Sequence, residues 1–237
     1  MKNLLIYMRD DGRFSTENKM LARIQIENSL DLGWEPEDIL LYTNFPYEHM
    51  GVKSRIIPNL CYKEDRTNKI PTIVYLFAND LIGDDLYWYH DFDAFQDGPL
   101  SPELKGKPLG LTGYGYKPQW NCGSFFFTKD ADATFFFWNR SITPRKRADE
   151  KALTDLTNSG LIKPTQYTDV GLEYNYGQRS HEWDFDGAPR VLHFHPYYRY
   201  YRAKHNNLDI FMYGKNRFNH PLMSKRLIDI FQRNDVK

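Results

Sequence analysis

Short apolar runs alternate with amphipathic segments over the first hundred residues of this 237-residue chain. Such runs are typical of buried strands, whereas apolar residues spaced three or four positions apart are typical of helices. The predicted strands are residues 3–8, 38–43, 52–57 and 86–89, and the predicted helices are residues 17–32 and 69–82. Strands that are separated by helices usually pair in parallel. The alternation therefore predicts an α/β fold with a mixed, mostly parallel central sheet flanked by helices.

The second half of the chain is less regular. Its predicted strands are residues 109–112, 124–128 and 190–195, and its predicted helices are residues 130–139, 148–158 and 221–233. No change in composition marks a boundary between these segments, and a chain of this length fits one large domain. We therefore predict a single domain over residues 1–237.

Composition and charge narrow the class of protein. The 31 basic and 31 acidic residues balance, which argues against a basic field over the whole surface for nucleic acid. Two cysteines give neither a disulfide framework nor a metal-site spacing, and this favours a reducing, cytoplasmic setting.

The N-terminal apolar run stops at Arg9 and no stretch approaches the about 20 apolar residues of a membrane span, so we expect no membrane partner. The 16% of aromatic residues suits a site that stacks on bases or sugar rings.

Two carboxylates follow the predicted strand at residues 86–89. Asp91 and Asp93 alternate with Phe92, so an extended backbone would direct both carboxylates to one side. Ligands of open α/β sheets bind beyond the C-terminal ends of the strands, and a hard cation such as Mg²⁺ or Mn²⁺ would neutralise the two charges. A solvated acidic turn is the alternative. A metal-dependent phosphoesterase or nuclease also uses clustered carboxylates, and His90 keeps that enzyme class open.

Two further pairs of residues have suitable chemistry. His193 and His195 bracket Phe194 in the last predicted strand, where each imidazole could bind a metal or make a hydrogen bond in the core. Asp149 and Glu150 open a predicted helix, where they could stabilise the helix dipole or act in catalysis.

Polar and aromatic groups elsewhere could contact a sugar or a phosphate. Asn121 could bind sugar hydroxyls and Gly123 would permit close backbone approach, although the same pattern also fits a simple turn before a strand. The basic and aromatic residues 197–204, which include Arg199, could bind phosphates or form a solvated face.

The order of these motifs resembles that of the GT-A glycosyltransferases. It is most similar to the retaining family that includes glycogenin and the bacterial galactosyltransferases of lipooligosaccharide. The family pattern runs Asp-x-Asp, Asn-x-Gly, Asp-Gln-x-x-Leu-Asn, Leu-Pro-x-x-Tyr-Asn and a late His-Phe-x-Gly. The matching segments are residues 91–93, 121–123, 149–154, 172–175 and 191–194, and the resemblance spans roughly residues 3–200.

The resemblance implies a Rossmann-like GT-A domain and a metal-dependent transfer of a sugar from a nucleoside diphosphate donor, most often a UDP-sugar. It implies a nucleotide-binding half at 1–100, a sugar and acceptor half at 101–205 and a C-terminal helical extension at 206–237. The implied metal ligands for Mn²⁺ or Mg²⁺ are Asp91, Asp93 and His193, and the implied catalytic residues are Asp149 and Glu150. The implied nucleotide- or diphosphate-binding residues are Tyr7, Arg9, Asp10, Lys69, Phe92, His195 and Arg199. The implied sugar-binding residues are Asn121, Gly123 and Asp149.

Three departures from the family pattern leave parts of the chemistry open. Glu150 stands where the family has glutamine, Pro196 stands where it has the glycine after the late histidine, and the closing Lys-Pro-Trp is missing. Inverting GT-A enzymes carry a carboxylate base at the same helix start, so retention and inversion both remain open. The acceptor could be a glycan, a protein or a hydroxylated DNA base, the last favoured by the basic residues 145–147. A sugar-binding protein without catalytic activity is a further alternative.

Overall fold

Strand β1 (Lys2–Tyr7) runs through the middle of a seven-stranded sheet, and its side chains alternate between two hydrophobic cores. Leu4 and Ile6 belong to the core on one face, whereas Leu5 belongs to the core on the other. The structure is a computed structural model that describes residues 1–58, 60, 68–113, 119–142, 148–177, 187–193 and 223–234. The alternation in β1 means that both faces of the sheet must be covered by other elements.

Helices cover both faces. They are α1 (Thr16–Asp31), α2 (Lys69–Ala78), α3 (Asp132–Ile142), α4 (Asp149–Asn158) and α5 (Lys225–Arg233). Helices α2, α3 and α4 pack on the face of Leu4, and α1 and α5 pack on the face of Leu5. Ser15 and Ser224 cap α1 and α5, each accepting a hydrogen bond from a backbone N–H in the first turn. None of the described helices is long and apolar enough to cross a membrane.

The sheet combines parallel and antiparallel pairs. Its strands, in spatial order, are β10 (Tyr167–Asp169), β8 (Leu109–Gly113), β9 (Trp120–Phe127), β6 (Tyr87–His90), β1, β2 (Ile39–Thr43) and β5 (Arg55–Ile56). Only β9 runs antiparallel to its neighbours β6 and β8, and the other pairs are parallel. The prediction of a mixed, mostly parallel sheet flanked by helices is confirmed.

A second, three-stranded sheet lies next to the end of β6. It contains β11 (Tyr176–Gly177), β12 (Val191–His193) and β7 (Ala94–Gln96) in that order. Strands β12 and β7 are antiparallel, and their register places His193 opposite Ala94. This small sheet therefore brings the end of β12 beside the residues that follow β6.

Several predicted segments differ from the observed ones in their limits. The single strand predicted at 52–57 is divided, because β4 (Val52–Lys53) forms a hairpin with β3 (Glu48–His49) while β5 joins the large sheet. The helix predicted at 69–82 ends at Ala78, and the strand predicted at 124–128 starts earlier, at Trp120. Residues 194–195 and 221–222, at the limits of two other predictions, lie outside the described residues.

Candidate active site

A tight turn carries Asp91 and Asp93 from β6 into β7. The Ala94 N–H donates to the Asp91 carbonyl at 3.0 Å, and the Asp91 N–H donates to the Gly123 carbonyl of β9 at 2.8 Å. Phe92 and Asp93 therefore occupy the centre of a turn instead of an extended strand. The expectation of an extended backbone at this position was wrong, and the two carboxylates come close together because the chain reverses.

Asp91, Asp93 and His193 form a cluster at this turn. Each offers one ligand atom, and the three atoms lie within 4.8 Å of one another. Among the residues that the structure describes, this is the only group of three or more such side chains close enough to hold a metal ion. Two carboxylates and an imidazole suit a divalent cation such as Mn²⁺, so the donor set fits the metal that the sequence predicts.

Neighbouring residues orient the imidazole of His193. Its Nδ1 lies 2.9 Å from Asn175 Oδ1, and its Nε2 lies 3.3 Å from Asp93 Oδ1. Burial lowers the pKa of His193, but the carboxylates of Asp93 and Asp91 raise it by more, so the pKa is above its ordinary value. A hydrogen bond from Nδ1–H to Asn175 leaves Nε2 facing the carboxylates, as a metal ligand requires.

Gly123 makes room for that imidazole. A Cβ atom at Gly123 would lie 1.9 Å from His193 Cε1 and 2.5 Å from its Nδ1, so no other residue could occupy this position without displacing the ring. The neighbouring Asn121 is buried, and its Oδ1 accepts a hydrogen bond from the Gly123 N–H at 2.9 Å. The structure therefore gives both residues a part in packing the site, and their role in sugar binding stays a prediction.

Lys69 links the cluster to the start of α4. Its Nζ lies 3.1 Å from Asp91 Oδ1 and 3.0 Å from Asp149 Oδ2, and it donates to the Cys122 carbonyl at 2.7 Å. Burial lowers the pKa of Lys69, yet Asp149 and then Asp91 raise it by more, and the pKa lies well above its ordinary value. The charged lysine neutralises two carboxylates that would otherwise repel each other. Tyr89 adds a hydrogen bond of 2.7 Å from its hydroxyl to Asp91 Oδ1.

The two carboxylates at the start of α4 differ in their surroundings. The Asp149 side chain is only 10% exposed, with one oxygen on Lys69 and the other accepting from the Glu150 N–H at 3.0 Å. Glu150 is less buried and points towards β9, where its Oε1 lies 3.5 Å from the Cys122 N–H. Both predicted catalytic residues thus lie beside the Asp91 end of the cluster.

Aromatic rings gather at the C-terminal ends of β1 and β2. The ring of Tyr7 lies 5.6 Å from that of Phe92 and 4.6 Å from that of Phe14, and Phe14 lies 4.9 Å from both Phe45 and Tyr47. Sequence reasoning singled out Tyr7 and Phe92 but missed the other three. The signal that could have found them is the presence of aromatic residues just after each of the first two strands.

Two hydrogen bonds between the Asn44 side chain and the Arg9 backbone join the polar residues beside this aromatic cluster. Asn44 accepts a hydrogen bond from the Arg9 N–H at 3.1 Å and donates one to the Arg9 carbonyl at 2.6 Å. The Arg9 guanidinium lies 3.0 Å from Asp11, and Asp10 is exposed in the adjoining turn. The structure therefore brings Arg9 and Asp10 to the same edge as Tyr7.

His90 takes no part in the described cluster. His90 is fully buried behind the turn, with Nδ1 at 2.9 Å from the Ala94 carbonyl, so it faces the core. Burial lowers its pKa to about 4. His195 and Arg199 lie outside the described residues, and the roles predicted for them stay predictions.

No protein-family model and no curated protein matches the sequence. Solved structures nevertheless share its fold. The galactosyltransferase LgtC is 14% identical, with a TM-score of 0.57 over 98% of this chain and 96% of LgtC. A glycosyltransferase that takes part in glycosylation of the major capsid of PBCV-1 is 13% identical, with a TM-score of 0.55 over 86% of this chain and 98% of that one.

A third structure, the glycosyltransferase GlyE of Streptococcus pneumoniae TIGR4, is longer than this chain. It is 14% identical, with a TM-score of 0.53 over 83% of this chain and 55% of GlyE, so this chain spans about half the length of that protein. At such low identity the agreement concerns the backbone alone. The order of strands and helices in this chain is that of the GT-A glycosyltransferase fold.

Proposed function

We propose that this protein is a metal-dependent glycosyltransferase that moves a sugar from a nucleoside diphosphate donor to an acceptor hydroxyl. The observation that carries this proposal is the cluster of Asp91, Asp93 and His193 within 4.8 Å, at the C-terminal end of a central strand in a GT-A fold. Ligands of α/β sheets bind at such strand ends.

The three clustered side chains would hold a divalent cation. When bound, the cation would neutralise the negative charge that develops on the departing nucleoside diphosphate. An ion pair with Lys69 holds the Asp91 carboxylate, and a hydrogen bond with Asn175 holds the His193 imidazole. These contacts hold the ligands in place before the donor arrives, which lowers the cost of organising the site.

Asp149 and Glu150 lie at the start of α4, next to Lys69 and to Cys122 of β9. Asp149 is buried against Lys69, so its role is to orient that lysine and the start of α4. Glu150 is the more accessible carboxylate, and we assign to it the contact with the acceptor hydroxyl or the transferred sugar. In an inverting reaction Glu150 would remove the acceptor proton, and in a retaining reaction it would position the sugar.

The aromatic cluster around Tyr7 supports a place for the nucleobase. Tyr7 and Phe14 are partly exposed at the edge of the sheet that also carries the metal cluster, and both offer flat faces for stacking. Arg9 and Asp10 lie at the same edge, within the turn that follows β1. We propose a uridine diphosphate sugar as the donor, and the structure of LgtC with donor and acceptor sugar analogs supports a glycan as the acceptor.

Release of nucleoside diphosphate tests the proposal. The purified chain is incubated with Mn²⁺ and with separate UDP-sugars, and released UDP is measured with and without simple sugar acceptors. We expect release with one donor, faster release with an acceptor, and loss of both on chelation of the metal. Asp93→Ala should lower the rate by about a hundredfold or more, because the charge on the leaving group is no longer neutralised.

Asp130→Ala is the matched control, because Asp130 is an exposed acid on the short helix that precedes α3. It should leave the rate unchanged. Donor binding without release would contradict transfer and favour a sugar-binding protein, whereas cleavage of a simple phosphodiester would favour a phosphoesterase. Near-normal turnover by Asp93→Ala would contradict the assigned metal site.

A further inference from the structure

A ring of buried polar side chains lies behind the turn that carries Asp91 and Asp93. Its members are Asn3 of β1, Gln25 and Ser29 of α1, and His90 of β6, each at most 1% exposed. Asn3 donates from Nδ2 to Ser29 Oγ at 2.9 Å, and its Oδ1 lies 2.8 Å from His90 Nε2. Ser29 in turn donates to the Gln25 carbonyl at 2.8 Å. The ring thus joins β1, α1 and β6 immediately behind the metal cluster.

Gln25 extends this ring to the backbone on both sides of Asp93. Its Nε2 donates to the Phe92 carbonyl at 2.9 Å and to the Ala94 carbonyl at 2.8 Å. The Ala94 carbonyl also lies 2.9 Å from His90 Nδ1. The Phe92 carbonyl belongs to the peptide that joins Phe92 to Asp93, and the Ala94 carbonyl belongs to the peptide that follows Ala94, so the two hydrogen bonds hold the backbone just before and just after Asp93.

Stability of the core does not by itself account for this glutamine. Gln25 Oε1 is buried and has no hydrogen-bond partner among the residues that the structure describes. An unpaired buried acceptor has a cost in free energy, which a methionine of similar length would avoid. Among the residues that the structure describes, the hydrogen bonds of the Gln25 side chain go to the Phe92 and Ala94 carbonyls on either side of Asp93.

We propose that Gln25 is a positioning residue, which holds Asp93 in the orientation that a divalent cation requires. The inference rests on the proposed function, because the cation is the one assigned to Asp91, Asp93 and His193. Without Gln25 the Phe92 carbonyl loses its side-chain donor, and the Asp93 peptide gains freedom to rotate. The metal site is then less organised in advance and binds the cation less tightly.

Mn²⁺ affinity of the full chain, measured without donor by the electron paramagnetic resonance signal of free Mn²⁺, tests this role. We expect Gln25→Met to weaken Mn²⁺ binding by about tenfold. Gln25→Asn keeps an amide that is one methylene too short to reach both carbonyls, and it should weaken binding as well. This milder variant decides the question by the same measurement if Gln25→Met does not fold.

Asn28→Leu is the matched control. Asn28 lies one turn further along α1, is equally buried, and donates to the Gln96 carbonyl of β7 at 2.9 Å. It makes the same kind of contact away from Asp93, so its replacement should reduce the free energy of unfolding without changing Mn²⁺ affinity.

Two results would overturn the inference alone. One is Mn²⁺ affinity of the Gln25 variants within about twofold of the wild type. The other is an equal loss of Mn²⁺ affinity in Asn28→Leu, which would show that the effect comes from general destabilisation. Absence of Mn²⁺ binding by the wild-type chain would overturn the inference and the metal site of the proposed function together.

Discussion

At the scale of single residues, the absence of a side chain at Gly123 decides how closely His193 can approach Asp93. The imidazole lies directly against the Gly123 backbone, and its Nε2 is 3.3 Å from Asp93 Oδ1. Gly123 has an ordinary strand conformation, so what it supplies is space and not an unusual dihedral angle. The contact explains why a glycine occupies the middle of a buried central strand, where it would otherwise weaken the sheet.

We therefore predict that Gly123→Ala displaces His193 and weakens Mn²⁺ binding by about tenfold or more, because the new methyl group would overlap the ring. The measurement is Mn²⁺ titration of the folded variant. Gly110→Ala is the control, since a Cβ at Gly110 in β8 would also meet a side chain, Val170, at 2.7 Å. Both variants should lose stability, and equal Mn²⁺ affinity in the two would contradict the role given to Gly123.

The order of the motifs and its resemblance to the GT-A family singled out Asp91, Asp93 and His193, which the structure brings together. The residues themselves indicated the acidic pair after an apolar run, but they left a metal role and a core role open for both His193 and His195. The sequence pattern could not find Gln25, which lies on a helix sixty-odd residues before its partners and is indistinguishable in sequence from a surface glutamine. Contacts of that kind depend on how α1 packs against β7, which no local pattern records.

At the scale of elements, one lysine joins two helices to the sheet. Lys69 is the first residue of α2, Asp149 is the first residue of α4, and Asp91 follows the last residue of β6. The Lys69 side chain is 7% exposed and contacts both carboxylates. The relative positions of the two helix starts therefore depend on one buried lysine that pairs with two carboxylates.

Replacing Lys69 should reduce the stability of the fold. We predict that Lys69→Met reduces the free energy of unfolding by about 3 kcal/mol, because two largely desolvated carboxylates lose their counter-charge. This is the lower end of what breaking a buried pair costs, since a third of the Asp91 side chain is exposed and water replaces part of the contact. Urea unfolding at neutral pH measures the change.

Lys151→Met is the matched control for this measurement. Lys151 pairs with Asp155 at 3.3 Å on the same helix α4, but its side chain is 64% exposed. Such a surface pair is worth only about 0.3–0.5 kcal/mol. A loss in Lys69→Met no larger than that in Lys151→Met would show that the buried pair does not stabilise the fold.

Elements with a long apolar run were predictable, whereas several of the shortest strands were not. Helix α1 and strands β1, β2 and β6 each extend over several residues of regular apolar spacing, and all four lie close to their predicted positions. The hairpin of β3 and β4 has strands of two residues each, which are too short to show an alternation. Strand β7 is three buried residues, and it exists because β12 pairs with it across a sequence separation of about a hundred residues.

At the scale of the whole molecule, burial of ionisable groups links folding to pH. His90 and His193 are both buried and their pKa values are shifted in opposite directions. His90 stacks on Trp88 with ring centroids 3.9 Å apart, and desolvation outweighs its hydrogen bonds to the Asp91 and Ala94 carbonyls and the charge of Asp91, so its pKa falls to about 4. His193 faces two carboxylates, so its pKa rises. The fold therefore holds two buried imidazoles whose pKa values are shifted in opposite directions by their surroundings.

The neutral imidazole gives the molecule a sensitivity to acid. The pKa of His90 is about 4 in the folded chain and about 6.5 in the unfolded one, so the unfolded chain binds the extra proton between these values. The contribution of His90 to stability is fully present above about pH 6.5 and is lost as the pH falls towards 4. The loss amounts to about 3 kcal/mol, from two to three pKa units at 1.36 kcal/mol each.

We predict that the free energy of unfolding of the metal-free chain falls more steeply with acidification than that of His90→Gln, whose amide can still donate to the Ala94 carbonyl but takes up no proton. Urea unfolding from pH 4.5 to 7.5 measures both, and the difference between the curves isolates His90, because every other ionisable group is common to the two proteins. The variant should be the less stable protein at pH 7.5 and should lose less stability by pH 4.5. Parallel curves would show that the pKa of His90 is the same in the folded and the unfolded chain, and burial behind the metal cluster would then not lower it.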